Sequence, residues 1–106
     1  MAASQPDIQM TVPTEEVADI CRRYPIKELA LFGSVLRPDF TDRSDVDVLV
    51  DVKPDQPFGL LDMGGLAMDL QDLFGRSVDL ALLRTLKPYL RQEILSSRQV
   101  LYVAKD

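Results

Sequence analysis

Along the chain the apolar positions switch repeatedly between a helical period and a strand period. Val17, Ile20, Cys21 and Tyr24 recur at helical spacing behind Thr14. Thr14 is expected as the N-cap, with Glu15 and Glu16 in the first turn where the helix dipole favours negative charge, and Pro25 as the stop. Lys27-Glu28-Leu29-Ala30-Leu31-Phe32 reads as a short apolar strand running directly into Gly33-Ser34. A polar, turn-rich stretch from Arg37 to Ser44 follows, and then Asp45 to Val52 alternates with period two and is rich in β-branched residues, the pattern of a strand. Pro54 and Pro57 break the chain before a helix predicted over Leu60 to Phe74. Its apolar face is Met63, Leu66, Ala67, Leu70, Leu73 and Phe74, and Gly75 is placed to cap it. The interior pair Gly64-Gly65 weakens this helix by about 1 kcal/mol per glycine relative to alanine, and permits either a close approach or a kink.

Arg76 to Leu83 is predicted as a third strand, Pro88 as the first turn of a last helix carrying Tyr89, Leu90, Ile94 and Leu95, and Val100 to Val103 as a fourth strand. Strands alternating with helices imply an α+β (mixed α/β) fold, a mixed four-stranded sheet with helices packed on it. Residues 1–13 hold two prolines and no helical period, so they are expected as a flexible leader to a single domain spanning 14–106.

Composition then removes whole classes of chemistry. The chain has no histidine, which excludes histidine zinc sites, Ser-His and Cys-His nucleophile pairs and imidazole acid–base catalysis. Its one cysteine, Cys21, excludes an internal disulfide or a cysteine zinc cluster, and its place on the helical stripe makes it a small core hydrophobe. Seventeen acids against twelve bases, net −5, argue against direct nucleic-acid binding. The N-terminal residues lack a signal-peptide pattern and no apolar run reaches membrane-spanning length, so a cytoplasmic protein with no membrane partner is expected. What remains is carboxylates, hydroxyls, lysine and arginine, a set suited to hard metals and phosphates.

Strand alternation turns Asp45 and Asp47 to the same face with Leu49 and sends Val46, Val48 and Val50 to the other. Two adjacent carboxylates repel unless a proton or cation neutralises them. A calcium-loop reading fails, because the position that needs glycine is Val50 and the one that needs glutamate is Gln56. Gly33 permits a backbone shape that brings N–H groups close to a phosphate, Ser34 adds a hydroxyl, and Arg37 adds a cation. If Val35-Leu36-Arg37 starts a helix, its N-terminus points at the same anion. A basic strip of Arg84, Lys87, Arg91 and Arg98 is read either as a solvated helix face or as a surface toward a partner.

Leu31-Phe32-Gly33-Ser34 followed by Ser44-Asp45-Val46-Asp47-Val48-Leu49-Val50 resembles the core motif of the DNA polymerase β-type nucleotidyltransferase superfamily. The short chain is similar to its minimal nucleotidyltransferase members, the antitoxins of HEPN/MNT toxin–antitoxin pairs. The resemblance covers roughly Thr14 to Val103. Val78-Asp79-Leu80 matches the family's third carboxylate, and Lys87 to Arg91 its C-terminal helix. One departure is Pro38-Asp39 after Arg37, where many relatives have glycine.

The resemblance implies a nucleotidyltransferase fold and an enzyme in which Asp45, Asp47 and Asp79 ligate two Mg²⁺ ions, while Gly33, Ser34 and Arg37 hold the phosphates of ATP. It implies AMP transfer to a tyrosine hydroxyl of a HEPN-family ribonuclease toxin. The toxin half requires histidine, so a histidine-free chain is the transferring half. Two other functions stay open on the sequence: an antitoxin that neutralises its toxin by binding alone, and transfer to a small molecule such as an aminoglycoside, with a homo-oligomer supplying the missing wall.

Overall fold

The computed structural model describes residues 10–105. Three helices, α1 (Thr14–Cys21), α2 (Leu60–Phe74) and α3 (Pro88–Ser97), accompany four strands, β1 (Ile26–Phe32), β2 (Val46–Val52), β3 (Val78–Leu82) and β4 (Gln99–Val103). The strands form one mixed sheet in the order β3-β2-β1-β4. β1 runs antiparallel to both β2 and β4, and β2 runs parallel to β3. A parallel pair needs a long crossover, and α2 is that crossover.

Both faces of the sheet are covered. Val46, Val48, Val50 and Val52 of β2 point to one face, where Val17, Ile20 and Cys21 of α1 and Leu66 and Leu70 of α2 bury them. On the opposite face Ala30, Leu49 and Ile94 form a smaller core beneath α3, joined by Leu83, Leu86 and Leu95. Ile26 and Leu29 are three residues apart yet share the first core, because the pairing of β1 with β2 is irregular between Ile26 and Glu28 and absorbs one residue.

α2 has the predicted bounds. The Gly59 N–H donates to Asp62 Oδ2 at 2.9 Å at its start, and Gly75 ends it in the left-handed conformation, φ 71°. Gln71 Oε1 accepts the Val78 N–H at 3.1 Å, tying the helix end to the first residue of β3. The helix runs through Gly64-Gly65, and a Cβ at Gly65 would meet the Tyr24 hydroxyl at 2.8 Å, so close approach explains that glycine.

Some boundaries differ from expectation. α1 stops at Cys21, and Arg22 to Tyr24 form turns, with the Tyr24 N–H donating to Cys21 O. Thr14 is the first helical residue rather than the cap; Pro13 holds the cap position, and its carbonyl accepts the Val17 N–H at 3.0 Å. Of the leader expected at 1–13, residues 1–9 lie outside the described residues, whereas Met10 and Val12 pack against the main core.

Candidate active site

The site is built at one end of the α3-facing side of the sheet. β1 delivers Gly33 at its end, β2 delivers Asp47, and β3 delivers Asp79. Phe32 is the register partner of Asp47 on one side, and Asp79 is its partner on the other. Partners in register share a face, so the parallel pairing of β2 with β3 aligns two carboxylates side by side. Asp45 lies two residues before Asp47 and just outside the strand, where the Val46 N–H donates to Ser77 O at 2.9 Å.

Gly33 has φ 75°, a conformation that side chains disfavour, and a Cβ there would collide with Asp47 Oδ2. The turn is thus pressed directly onto the carboxylate. The Ser34 N–H donates to the Asp47 carboxylate, and Ser34 Oγ donates to the Asp45 carbonyl at 3.3 Å. As placed, both Ser34 donors serve the carboxylate strand. The hydroxyl bond is long and solvent-exposed, which leaves it exchangeable for another acceptor.

Asp47 is half-buried and its carboxyl is held above the ordinary carboxylate range. Burial is the largest cause, and the charge of Asp79 adds to it. The Ser34 N–H opposes the shift, Asp45 raises it further, and Arg37 opposes it.

The other end of the same face supplies a comparison. Glu28 and Asp51 are also cross-strand register partners, but there Arg98 donates to Glu28 through Nε and NH2 and feels the charge of Asp51. One like-charge pair has a permanent internal cation. At Asp47 the cation that acts among the described residues is the exposed Arg37, and Arg37 Nε already pairs with Asp39 at 3.4 Å. An acid-only donor set beside a glycine turn suits a hard divalent cation. The three carboxylates are not preassembled around one point: no group of three His, Cys, Asp or Glu side chains among the described residues is placed to hold an ion.

A groove of about 390 Å³ opens beside Gly33 and Arg37, walled by Phe32, Leu36, Leu90 and Ile94. A separate cleft between α1 and α2, lined by Glu16, Asp19, Asp69 and Asp72, includes none of the site residues.

Two sequence expectations change here. The turn after β1 is a 3-10 helix of four residues, Gly33–Leu36, with Arg37 extended beyond it; it is too short to act as a helix dipole. Three of the four residues of the basic strip make contacts within the chain, and Lys87 is exposed. Arg84 donates to Phe58 O, Arg91 to Leu86 O, and Arg98 to Glu28. The sequence reading also missed Arg76, which donates to Thr41 O at 2.9 Å from 35 residues away; no local pattern marks such a contact.

Residues 15–101 match the nucleotidyltransferase domain family. The chain is similar to a protein of Thermococcus cleftensis named protein adenylyltransferase MntA, 32% identical over 93 residues, which are 88% of this chain and 90% of that protein. A crystal structure described as a toxin-antitoxin with AMP-PNP superposes with a TM-score of 0.71 at 21% identity, covering 89% of this chain and 76% of that one. A complex of a tri-AMPylated Shewanella oneidensis HEPN toxin with an MNT antitoxin contains a chain matching at TM-score 0.62 and 21% identity, covering 87% and 71%. These two structures share the fold.

Proposed function

This chain belongs to the nucleotidyltransferase domain family, and on that premise we propose that it is a protein adenylyltransferase acting as an antitoxin. It transfers AMP from ATP to a tyrosine hydroxyl of a cognate HEPN-family toxin. The observation that carries this reading is the meeting of three separate segments at Asp47: the Gly33-Ser34 turn, the Asp45-Asp47 stretch itself, and the strand neighbour Asp79. The name of the Thermococcus relative supports a protein as acceptor. The AMPylated toxin complex supports a toxin as that protein.

Asp45, Asp47 and Asp79 are the residues that would hold divalent cations, two Mg²⁺ ions in this reading, and bound there such ions would neutralise the crowded acids and the charge of the triphosphate. Arg37, released from its exposed pairing with Asp39, reaches for a phosphate oxygen. The Gly33-Ser34 turn holds the outgoing phosphates, with the Ser34 hydroxyl changing acceptor from the Asp45 carbonyl. Asp79, exposed beside Asp47, takes the proton of the acceptor hydroxyl. The acceptor oxygen then bonds to the α-phosphorus in line, the bond from that phosphorus to the bridging oxygen breaks, and pyrophosphate departs. AMP stays on the tyrosine.

Among the described residues no helix is long and apolar enough to cross a membrane, and the reading places the work in the cytoplasm, where ATP is supplied. The test incubates the chain with labelled ATP, Mg²⁺ and the protein encoded beside it. Label on a tyrosine of that neighbour is expected, and none with Asp47→Asn. Label only on an added aminoglycoside, or toxin neutralised with no label at all, overturns the reading.

A further inference from the structure

The segment 37–44 joins the Gly33-Ser34 turn to the carboxylate strand, and most of it is exposed. Its internal bonds are local: the Phe40 N–H donates to Arg37 O, the Ser44 N–H to Thr41 O, and the Thr41 N–H to Ser44 Oγ. From the connection between α2 and β3, Arg76 reaches it in three ways. Arg76 NH1 donates to Thr41 O at 2.9 Å, NH2 pairs with Asp42 Oδ1 at 3.5 Å, and the guanidinium lies 4.6 Å from the centre of the Phe40 ring. The Arg76 side chain is only 20% exposed, whereas Asp42 is fully exposed, so the carbonyl bond and the ring contact dominate over the ion pair. Arg76 precedes Ser77, whose carbonyl accepts the Val46 N–H, so one short stretch ahead of β3 holds both the loop and the start of β2.

We infer that Arg76 is a positioning residue for the nucleotide: it fastens the 37–44 loop so that the Arg37 guanidinium stays within reach of the phosphates. The inference rests on the adenylyltransferase reading. Arg37 is the first residue of that loop, accepts the Phe40 N–H through its own carbonyl, and stands close enough to Asp47 for its charge to act there. Arg76 touches neither the carboxylates nor the turn, and its effect passes through the loop.

The test measures MgATP binding to the full chain without acceptor, together with amide exchange at Phe40 and Ser44. Arg76→Ala is expected to weaken MgATP binding roughly tenfold, the scale of one lost charge-assisted contact, and to speed exchange in the loop but not in α2. Arg76→Lys keeps the charge and loses the planar fork, so it shows the same pattern at smaller size and serves if the alanine variant does not fold. Asp42→Ala changes binding less than twofold. In an Arg37→Ala background, Arg76→Ala adds no further loss of affinity, because its route to the phosphate is already gone. Losses that multiply in that background, or loop exchange that ignores Arg76, overturn the inference while leaving the adenylyltransferase reading intact. A folded wild-type chain that binds no MgATP at millimolar concentration overturns that reading, and this inference with it.

Discussion

Replacing Gly33 with alanine tests the tightest contact in the site. The left-handed conformation at φ 75° costs an alanine about 1 kcal/mol relative to glycine. The new methyl must also displace Asp47 Oδ2, and the Asp47 Cγ and Cβ atoms lie only 3.2 and 3.4 Å from where it would stand. The carboxylate can escape only by rotating away from the Ser34 N–H, which forfeits a hydrogen bond to a charged group worth roughly 1.5–3 kcal/mol. The sum is about 3 kcal/mol, a drop in Tm of roughly 12 °C for a domain of this size. Adenylyl transfer should fall by more than a hundredfold, since a carboxylate misplaced by about 1 Å costs that much. Thermal unfolding and a labelled-ATP assay read the two effects separately. The double variant Gly33→Ala with Asp47→Ala removes the atom that is struck, so only the backbone share of about 1 kcal/mol should remain relative to Asp47→Ala alone. Additive losses in that cycle, or a Gly33→Ala protein with wild-type stability and transfer, would refute the contact as described.

Asp47→Asn should abolish transfer while leaving the Tm of the metal-free protein unchanged or higher, because it relieves burial of charge and repulsion from Asp79 and Asp45. The raised Asp47 carboxyl also has a pH signature. The folded chain keeps a proton that the unfolded chain releases near 3.8, so this group's stabilising contribution is full below 3.8 and is lost as pH rises through the folded value. Denaturant titrations across that window should show the decline in wild type and its absence in Asp47→Asn. Mg²⁺ is expected to stabilise wild type by RT ln(1 + [Mg²⁺]/Kd), read as a rise in Tm, and to leave Asp47→Asn unmoved; equal shifts in both proteins would remove Asp47 from the ligand set. Arg98→Met should destabilise by about 3 kcal/mol, since Glu28, 19% exposed, would be left beside Asp51 without its cation. Glu28→Gln in the same protein should recover much of that loss in chemical denaturation.

The local patterns were legible and the long-range ones were not. α2 could be bounded residue for residue, because a sustained apolar period ends on a glycine that can adopt positive φ. The pairing of Asp45 with Asp47 followed from strand alternation, and the Gly33-Ser34 turn from its place after an apolar run. Asp79 was found through resemblance. What brings it to Asp47 is the parallel register of β2 and β3, which no short window of sequence encodes. The stop of α1 at Cys21 was missed because Tyr24 continues the apolar spacing while its side chain serves another end, donating to Asp69 Oδ2 at 2.9 Å. The basic strip looked like one surface because charge is visible in sequence and partners are not: Phe58 O and Glu28 lie far along the chain from Arg84 and Arg98. Arg76 was hidden for the same reason.

Cys21, described above only as part of the core, makes the protein convenient to instrument. Burial pushes its thiol up to about 12, against a weaker opposing pull from Arg22. At neutral pH the thiol therefore stays protonated, and the buried sulfur is also shielded from reagents. Because it is the chain's sole cysteine, a second one introduced at Asp39 or Asp42 would react alone with a maleimide dye. The native thiol can stay in place as core packing, and the loop that Arg76 holds can carry a single fluorophore reporting its motion as nucleotide arrives.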